Sequence, residues 1–177
     1  MTYLLTFRTY GTWLHGDQRG SVDRDNNQVG MPLIGPNVAL QRFRRNAMNA
    51  PPVGFDEECC DCVRVTLKEV ARYRGWRLRA INVLPNHVHI VVETNEAVTL
   101  ANPDKLAADF KAWGTRRLRE AQHFAQEQPI WAEKGSTRYL KTLESIERAI
   151  DYVLNQQEFP GDPCDDSNDL DDCEPRA

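Results

Sequence analysis

The chain has no apolar run approaching the ~20 residues that a membrane-spanning helix needs, so nothing in it reads as a membrane segment. It has no glycine-rich loop of the kind that cradles phosphates, and no internal repeat, which argues against a solenoid. Cysteine is scarce and oddly numbered: Cys59, Cys60, Cys62, Cys164 and Cys173. The opening residues Met1–Arg8 lack a charged leader followed by an apolar core and a cleavage site. Together these features predict a reducing, cytoplasmic setting and no disulfide framework. Cys59-Cys60-Asp61-Cys62 lacks the spaced partner pair of a zinc site and reads as ordinary thiols at the start of a helix. Histidine is scarcer still, with only four in 177 residues, so the placement of each one carries weight.

Acids outnumber bases by 26 to 22, a net charge of −4 that at first argues against nucleic acid. The excess is local. Residues 158–177 hold eight acids and one base, or −7, which leaves +3 for residues 1–157. This final stretch is rich in Asp and Pro without periodicity and is expected to be a disordered tail. The folded part is mildly basic.

Thr2–Tyr10 alternates and is rich in Thr, Tyr, Leu and Phe, which predicts a strand. Residues 13–52 have no strong period and read as a long loop insertion, with a short helix around Val38–Met48. Asp56–Tyr73 predicts a helix, with acids in its first turn and Gly75 beyond its end. Two strands, Trp76–Leu84 and His87–Thr94, follow around a Pro85-Asn86 turn. Pro103–Gln122 predicts a second long helix, with Leu106, Phe110, Trp113 and Leu118 near one face. A short strand near Arg138–Lys141 and a helix over Leu143–Gln157 end the fold. The stripe of that last helix is Ile146, Ala149, Ile150, Val153 and Leu154. With the insertion set aside, this order gives an α+β, ferredoxin-like βαββαβ sandwich with an additional C-terminal helix. The expected domain is thus residues 1–157.

The most informative stretch is Leu84-Pro85-Asn86-His87-Val88-His89-Ile90-Val91-Val92-Glu93. Side chains two apart on a strand share a face, so His87 and His89 project together while Val88, Ile90 and Val92 face the other way. Two adjacent imidazoles on a rigid strand make half of a divalent metal site. On the last helix, Tyr152 and Gln156 stand four residues apart and share a flank. Each residue alone is commonplace; the interest lies in pairing them with the histidines.

Pro85-Asn86-His87-Val88-His89 resembles the His-hydrophobic-His motif of the HUH superfamily, the single-tyrosine transposases, and especially the REP-associated tyrosine transposases. Phe110-Lys111-Ala112-Trp113-Gly114-Thr115-Arg116-Arg117-Leu118 looks like the basic helix of that family. Ile130-Trp131 and Ala149-Ile150-Asp151-Tyr152-Val153 look like its last-strand entry and its tyrosine helix. The resemblance spans Thr2–Tyr10 and about Asp56–Gln157. It departs from the REP-associated pattern at Asn155-Gln156-Gln157-Glu158, where those members often carry Asn-Pro, and in the length of the 13–52 insertion. The resemblance implies Tyr152 as nucleophile and His87, His89 and Gln156 as metal ligands. The implied activity is that of a single-stranded DNA endonuclease and strand transferase.

That chemistry is coherent in itself. A phenol with a pKa of about 10 is a poor nucleophile at neutral pH, so cleaving a phosphodiester needs a cation at the phosphate. Two imidazoles and an amide oxygen suit Mg²⁺ or Mn²⁺, with Mn²⁺ the more tolerant of nitrogen. The expected partner is single-stranded or hairpin DNA. Lys105, Lys111, Arg116, Arg117 and Arg119 on the second long helix, with Arg72, Arg74, Arg77 and Arg79 around the second strand, are its candidate phosphate contacts. Arg42-Phe43-Arg44-Arg45 mixes cations with an aromatic, as single-strand binders do. The rival reading is a non-catalytic or domesticated DNA-binding protein on the same fold. A two-histidine cyclic phosphodiesterase fits poorly, because His15 and His123 are followed at +2 by Asp17 and Ala125 rather than Ser or Thr. Oligomeric state, a homodimer included, is left open.

Overall fold

A strand, β1, spans Thr2–Thr9 in the computed structural model, which describes residues 1–18, 20, 35–95 and 104–155. The chain divides into two units. The first comprises Met1–Thr12 and Pro52–Gln156; the second comprises Trp13–Pro51 and Gln157–Ala177. In the second unit the described part carries a helix, α1 (Val38–Asn46), where the sequence predicts one. The acidic stretch 158–177, expected to be a tail, lies outside the described residues, and so does Gln156.

The first unit contains α2 (Glu57–Tyr73), β2 (Arg77–Val83), β3 (His87–Glu93), α3 (Asp104–Glu120), β4 (Trp131–Leu140) and α4 (Leu143–Asn155). The four strands form one sheet in the order β2-β3-β1-β4, with every neighbour antiparallel. This is the ferredoxin-like arrangement, extended by α4. The Asp56 carboxylate starts α2 by accepting the Cys59 amide at 2.8 Å, and Gly75, at φ +69°, follows its end. Among the described residues no helix is long and apolar enough to cross a membrane.

The pleat separates two cores. Leu5, Phe7, Val88, Ile90 and Val92 face α2 and α3 and pack with Val63, Leu67, Val70, Leu106, Phe110 and Leu118. Leu4, Ala80, Val91 and Leu140 face the other way and meet Ala149 and Val153 of α4. A strand buried on both faces must be apolar on both, which is why His87–Val92 is buried at every position although two of those positions are histidine.

Two expectations need correction. The last strand is ten residues long rather than a short piece near Arg138–Lys141. Glu133-Lys134-Gly135-Ser136 has no apolar alternation because β4 is an edge strand with its middle largely exposed. Its pairing is set by β1, not by its own propensity. On α4, Leu154 is 61% exposed rather than part of the stripe. The helix turns Val153 inward and leaves its neighbour on the rim.

Gly135 sits opposite Phe7 in the β1–β4 ladder. A methyl there would stand 2.6 Å from the Thr6 carbonyl oxygen and 3.2 Å from Phe7 Cβ. Gly135→Ala is expected to loosen the β1–β4 edge and lower stability by about 1–3 kcal/mol. Chemical denaturation reads this directly; an unchanged midpoint would mean that β4 shifts outward at no penalty.

Candidate active site

The turn between β2 and β3 is pinned before the histidines begin. The Asn86 carbonyl oxygen accepts from the Thr9 amide (2.9 Å) and from the Thr9 (3.0 Å) and Thr12 (3.3 Å) hydroxyls. The Pro85 carbonyl accepts the Phe55 amide at 2.7 Å. Asn86 also turns its side-chain carbonyl onto His87 Nδ1. That oxygen can only accept, so Nδ1 carries a proton and donates.

His87 and His89 both lie on the α4 side of the sheet, as the period of two requires. Their rings meet edge to face with centroids 4.6 Å apart. The Tyr152 ring reaches over from α4 to within 5.4 Å of the His89 centroid. Register places Thr6 opposite His89 on one side and Asn82 on the other, with Ser136 beyond Thr6. Arg8 stands opposite His87. The site is therefore a polar patch on an otherwise apolar face.

His89 is fully buried, and its Nδ1 lies 2.8 Å from Thr6 Oγ1. Its Nε2 is buried with no hydrogen-bond partner. Burial pushes its pKa down to about 3, assisted by the charges of His87 and Arg8, so the ring is neutral at ordinary pH. A neutral imidazole here has two tautomers. With the proton on Nε2, an N–H donor is stranded in the interior; with it on Nδ1, Thr6 accepts it and only a lone pair is left at Nε2. A stranded donor is the more costly, so Nδ1–H donates to Thr6. His89 then presents a bare Nε2, the form a metal ligand takes. Among the described residues no three His, Cys, Asp or Glu side chains cluster to hold a metal. Any third protein ligand must come from another residue type or from outside that set, as the Gln156 amide would.

The five tyrosines separate cleanly. Tyr3 and Tyr10 pack with the core under α2 and α3, and Tyr139 stacks on Tyr3 at 5.4 Å. Tyr73 is exposed on α2. Tyr152 packs with the α4-side core and on His89.

The candidate phosphate contacts are not gathered with the histidines. α3 lies against the opposite face of the sheet. Lys111 is half-buried, its Nζ 3.0 Å from the Ala132 carbonyl and near those of Glu133 and Lys134, and burial lowers its pKa. It holds the start of β4. Arg116 pairs with Glu120 at 2.8 Å, Arg117 with Glu69 at 2.8 Å, and Arg119 donates to the Gln128 carbonyl at 3.2 Å. Arg74 pairs with Asp109 at 2.9 Å. Lys105, Arg72 and Arg77 are exposed. Arg79 pairs with Glu93 at 3.2 Å, four residues along β3 from His89, or about 13 Å at strand rise. The basic helix and Ile130-Trp131 do meet, but for packing. The Trp131 indole donates to the Lys111 carbonyl at 3.0 Å, and a methyl at Gly114 would lie 3.1 Å from its ring.

Sequence reasoning missed Thr6, Arg8 and the role of the Asn86 side chain. Alternation along β1 puts Thr6 and Arg8 on one face, but only the sheet order shows that this face carries the histidines.

Compared with known proteins, the sequence matches no protein-family model and no curated protein. Similar solved structures include two transposases. One is a candidate transposase from Deinococcus radiodurans R1, at 16% identity and a TM-score of 0.49, covering 88% of this chain and 90% of that one. The other is a REP-associated tyrosine transposase bound to a REP hairpin, at 14% identity and a TM-score of 0.46. It covers 86% of this chain, which spans 63% of that one. Identities this low leave residue roles to the geometry above.

Thr6→Val is expected to free the His89 tautomer. In metal-free protein, ¹⁵N NMR should show a single Nδ1-protonated form for the parent and a mixture for the variant. A parent spectrum with the proton on Nε2 would refute the assignment. Lys111→Ala should cost about 1–3 kcal/mol of stability, since it removes a charged donor from backbone carbonyls. Thermal unfolding unaffected by this change would make Lys111 a purely solvated cation.

Proposed function

We propose that this chain is a metal-dependent, single-tyrosine DNA endonuclease and strand transferase of the transposase type, acting on single-stranded or hairpin DNA. The observation that carries the reading is the convergence of Tyr152 with two imidazoles, of which that of His89 is neutral and has a buried, partnerless Nε2. An orphan lone pair in a protein interior is an unfavourable arrangement unless something binds to it.

The Tyr152 hydroxyl attacks phosphorus, the bond from phosphorus to the 3′ oxygen breaks, and that oxygen leaves with a proton matching the one the phenol gives up. The products are a 5′-phosphotyrosine and a free 3′-hydroxyl. The phosphodiester energy stays in the new bond, so a second 3′-hydroxyl can reverse the step and join strands without ATP. His87 and His89 would hold Mg²⁺ or Mn²⁺ through Nε2, with the Gln156 amide oxygen as the expected third ligand. When bound, the ion polarises the phosphate and stabilises the charge that builds on it. Thr6 keeps the His89 imidazole in the ligand tautomer, and Asn86 holds His87 through Nδ1. The Arg8 guanidinium, on the strand opposite His87, adds positive charge where a phosphate would lie.

The rival reading, a non-catalytic single-strand-binding protein on this fold, draws on the absence of a complete His, Cys, Asp or Glu ligand set among the described residues. One experiment separates the two: labelled single-stranded hairpin DNA is incubated with the protein and Mn²⁺, then run on a denaturing gel. A covalent adduct is expected with the parent and none with Tyr152→Phe, whose DNA binding stays intact. An adduct of equal yield in the Phe variant would reassign the nucleophile. His87→Ala and His89→Ala should each abolish cleavage and weaken Mn²⁺ binding in calorimetry. Gln156→Ala should reduce activity less, because water can replace a neutral oxygen. Unchanged Mn²⁺ affinity in the double histidine variant would remove the metal from the mechanism.

A further inference from the structure

α1 carries Val38-Ala39-Leu40-Gln41-Arg42-Phe43-Arg44-Arg45-Asn46: three arginines and no acid. It buries no residue. Among the described residues, its side-chain attachments lie at its N-terminal half. The Asn37 side chain caps the Leu40 amide at 2.9 Å, and Gln41 donates to Asp17 at 3.1 Å. The Asn37 amide bonds the Gly16 carbonyl at 2.9 Å. Gly16, at φ +89°, lies so close that a methyl would stand 2.3 Å from the Asn37 carbonyl oxygen. Beyond this anchor the helix offers its arginines to solvent. Among the described residues, Arg42, Arg44 and Arg45 have no ion pair. Arg74, Arg79, Arg116 and Arg117 of the first unit are, by contrast, all matched by acids.

Phe43 is 66% exposed. A phenyl ring that anchored the loop would be buried, so this one is open to a partner. Arg42 and Arg45, three apart, share a face of the helix; Phe43 stands between Arg42 and Arg44, about 100° round from each, and about 160° from Arg45. Cations beside an open ring face match the two parts of an unpaired nucleotide, phosphate and base. A duplex keeps its base faces stacked and has nothing for the ring. A lipid surface calls for apolar residues along one side of a helix; Val38 and Phe43, the exposed apolar pair, point about 140° apart by helical geometry.

We infer that α1 is a binding element for single-stranded DNA, in which Arg42, Arg44 and Arg45 contact phosphates and Phe43 stacks on an unpaired base. The inference rests on the DNA reading above and adds residues of the second unit to those of the histidine and tyrosine site.

The test is fluorescence anisotropy with a labelled oligothymidylate, using the full chain in EDTA so that no cleavage intervenes, across 50–200 mM salt. Alanine is the better helix former, so Arg42→Ala/Arg44→Ala/Arg45→Ala keeps α1; circular dichroism checks this. In the triple variant the slope of log affinity against log salt should be shallower by about 2, near 0.7 for each phosphate that is no longer neutralised. Phe43→Leu should bind roughly tenfold more weakly, and Phe43→Trp as well as the parent. If the parent binds and the triple variant has the same affinity and slope, α1 is not a DNA contact. Equal binding by Phe43→Leu overturns the stacking role. Arginine-dependent binding to phosphatidylserine–phosphatidylcholine vesicles, with oligonucleotide affinity unchanged, overturns the inference in favour of a membrane surface. A parent that binds no oligonucleotide defeats the DNA reading itself.

Discussion

Thr6 and His89 face each other across the central ladder of the sheet, and this register governs the rest of the site. A slip of one residue between β1 and β3 would turn both histidines into the core beneath α2 and α3 and send Val88 and Ile90 toward α4. The apolar partners on the other face, Leu5, Phe7, Val88, Ile90 and Val92, forbid that slip, because every one of them is buried. Fully burying each such side chain is worth on the order of 1.5–3 kcal/mol. A single Thr–His hydrogen bond is worth about 1 kcal/mol. Packing therefore sets the register, and the register delivers the hydrogen bond.

The two faces of the sheet divide the work. α2 and α3 build the large core, and their surface charges are largely spent on one another through pairs such as Arg117–Glu69 and Arg116–Glu120. Exposed pairs of this kind contribute little to stability, but they do cancel the positive field that a run of arginines suggests. α4 covers the other face with a narrower stripe and brings Tyr152 to the histidines. Lys111, a cation that reads in sequence as a DNA contact, instead satisfies the carbonyls at the start of β4.

Much of this is legible in the chain itself, for identifiable reasons. Period-two alternation in His87–Glu93 is enough to place both imidazoles on one side, and period 3.6 in α4 is enough to orient Val153 inward with Tyr152 beside it. The strands with strong alternation, β1 and β3, have bounds within a residue or so of those expected. β4 does not, because an edge strand borrows its pairing from a neighbour and leaves little pattern of its own. Thr6 is invisible as part of the site for a related reason: its hydrogen bond to His89 is a property of the sheet order, which no single segment encodes. The ion pairs of the α3 arginines are equally hidden in the sequence, since partners such as Glu69 lie on another helix.

α4 also differs from the sheet in how firmly it is held. It fully buries only Ala149 and Val153, and it follows an edge strand rather than bridging two central ones. Regions with few buried apolar contacts open at lower free energy than the core. The amides of α4 should therefore exchange with solvent through partial openings that leave those of β1 and β3 protected. The tyrosine thus rides on a unit that can come and go, while the histidine pair belongs to the last part of the molecule to unfold.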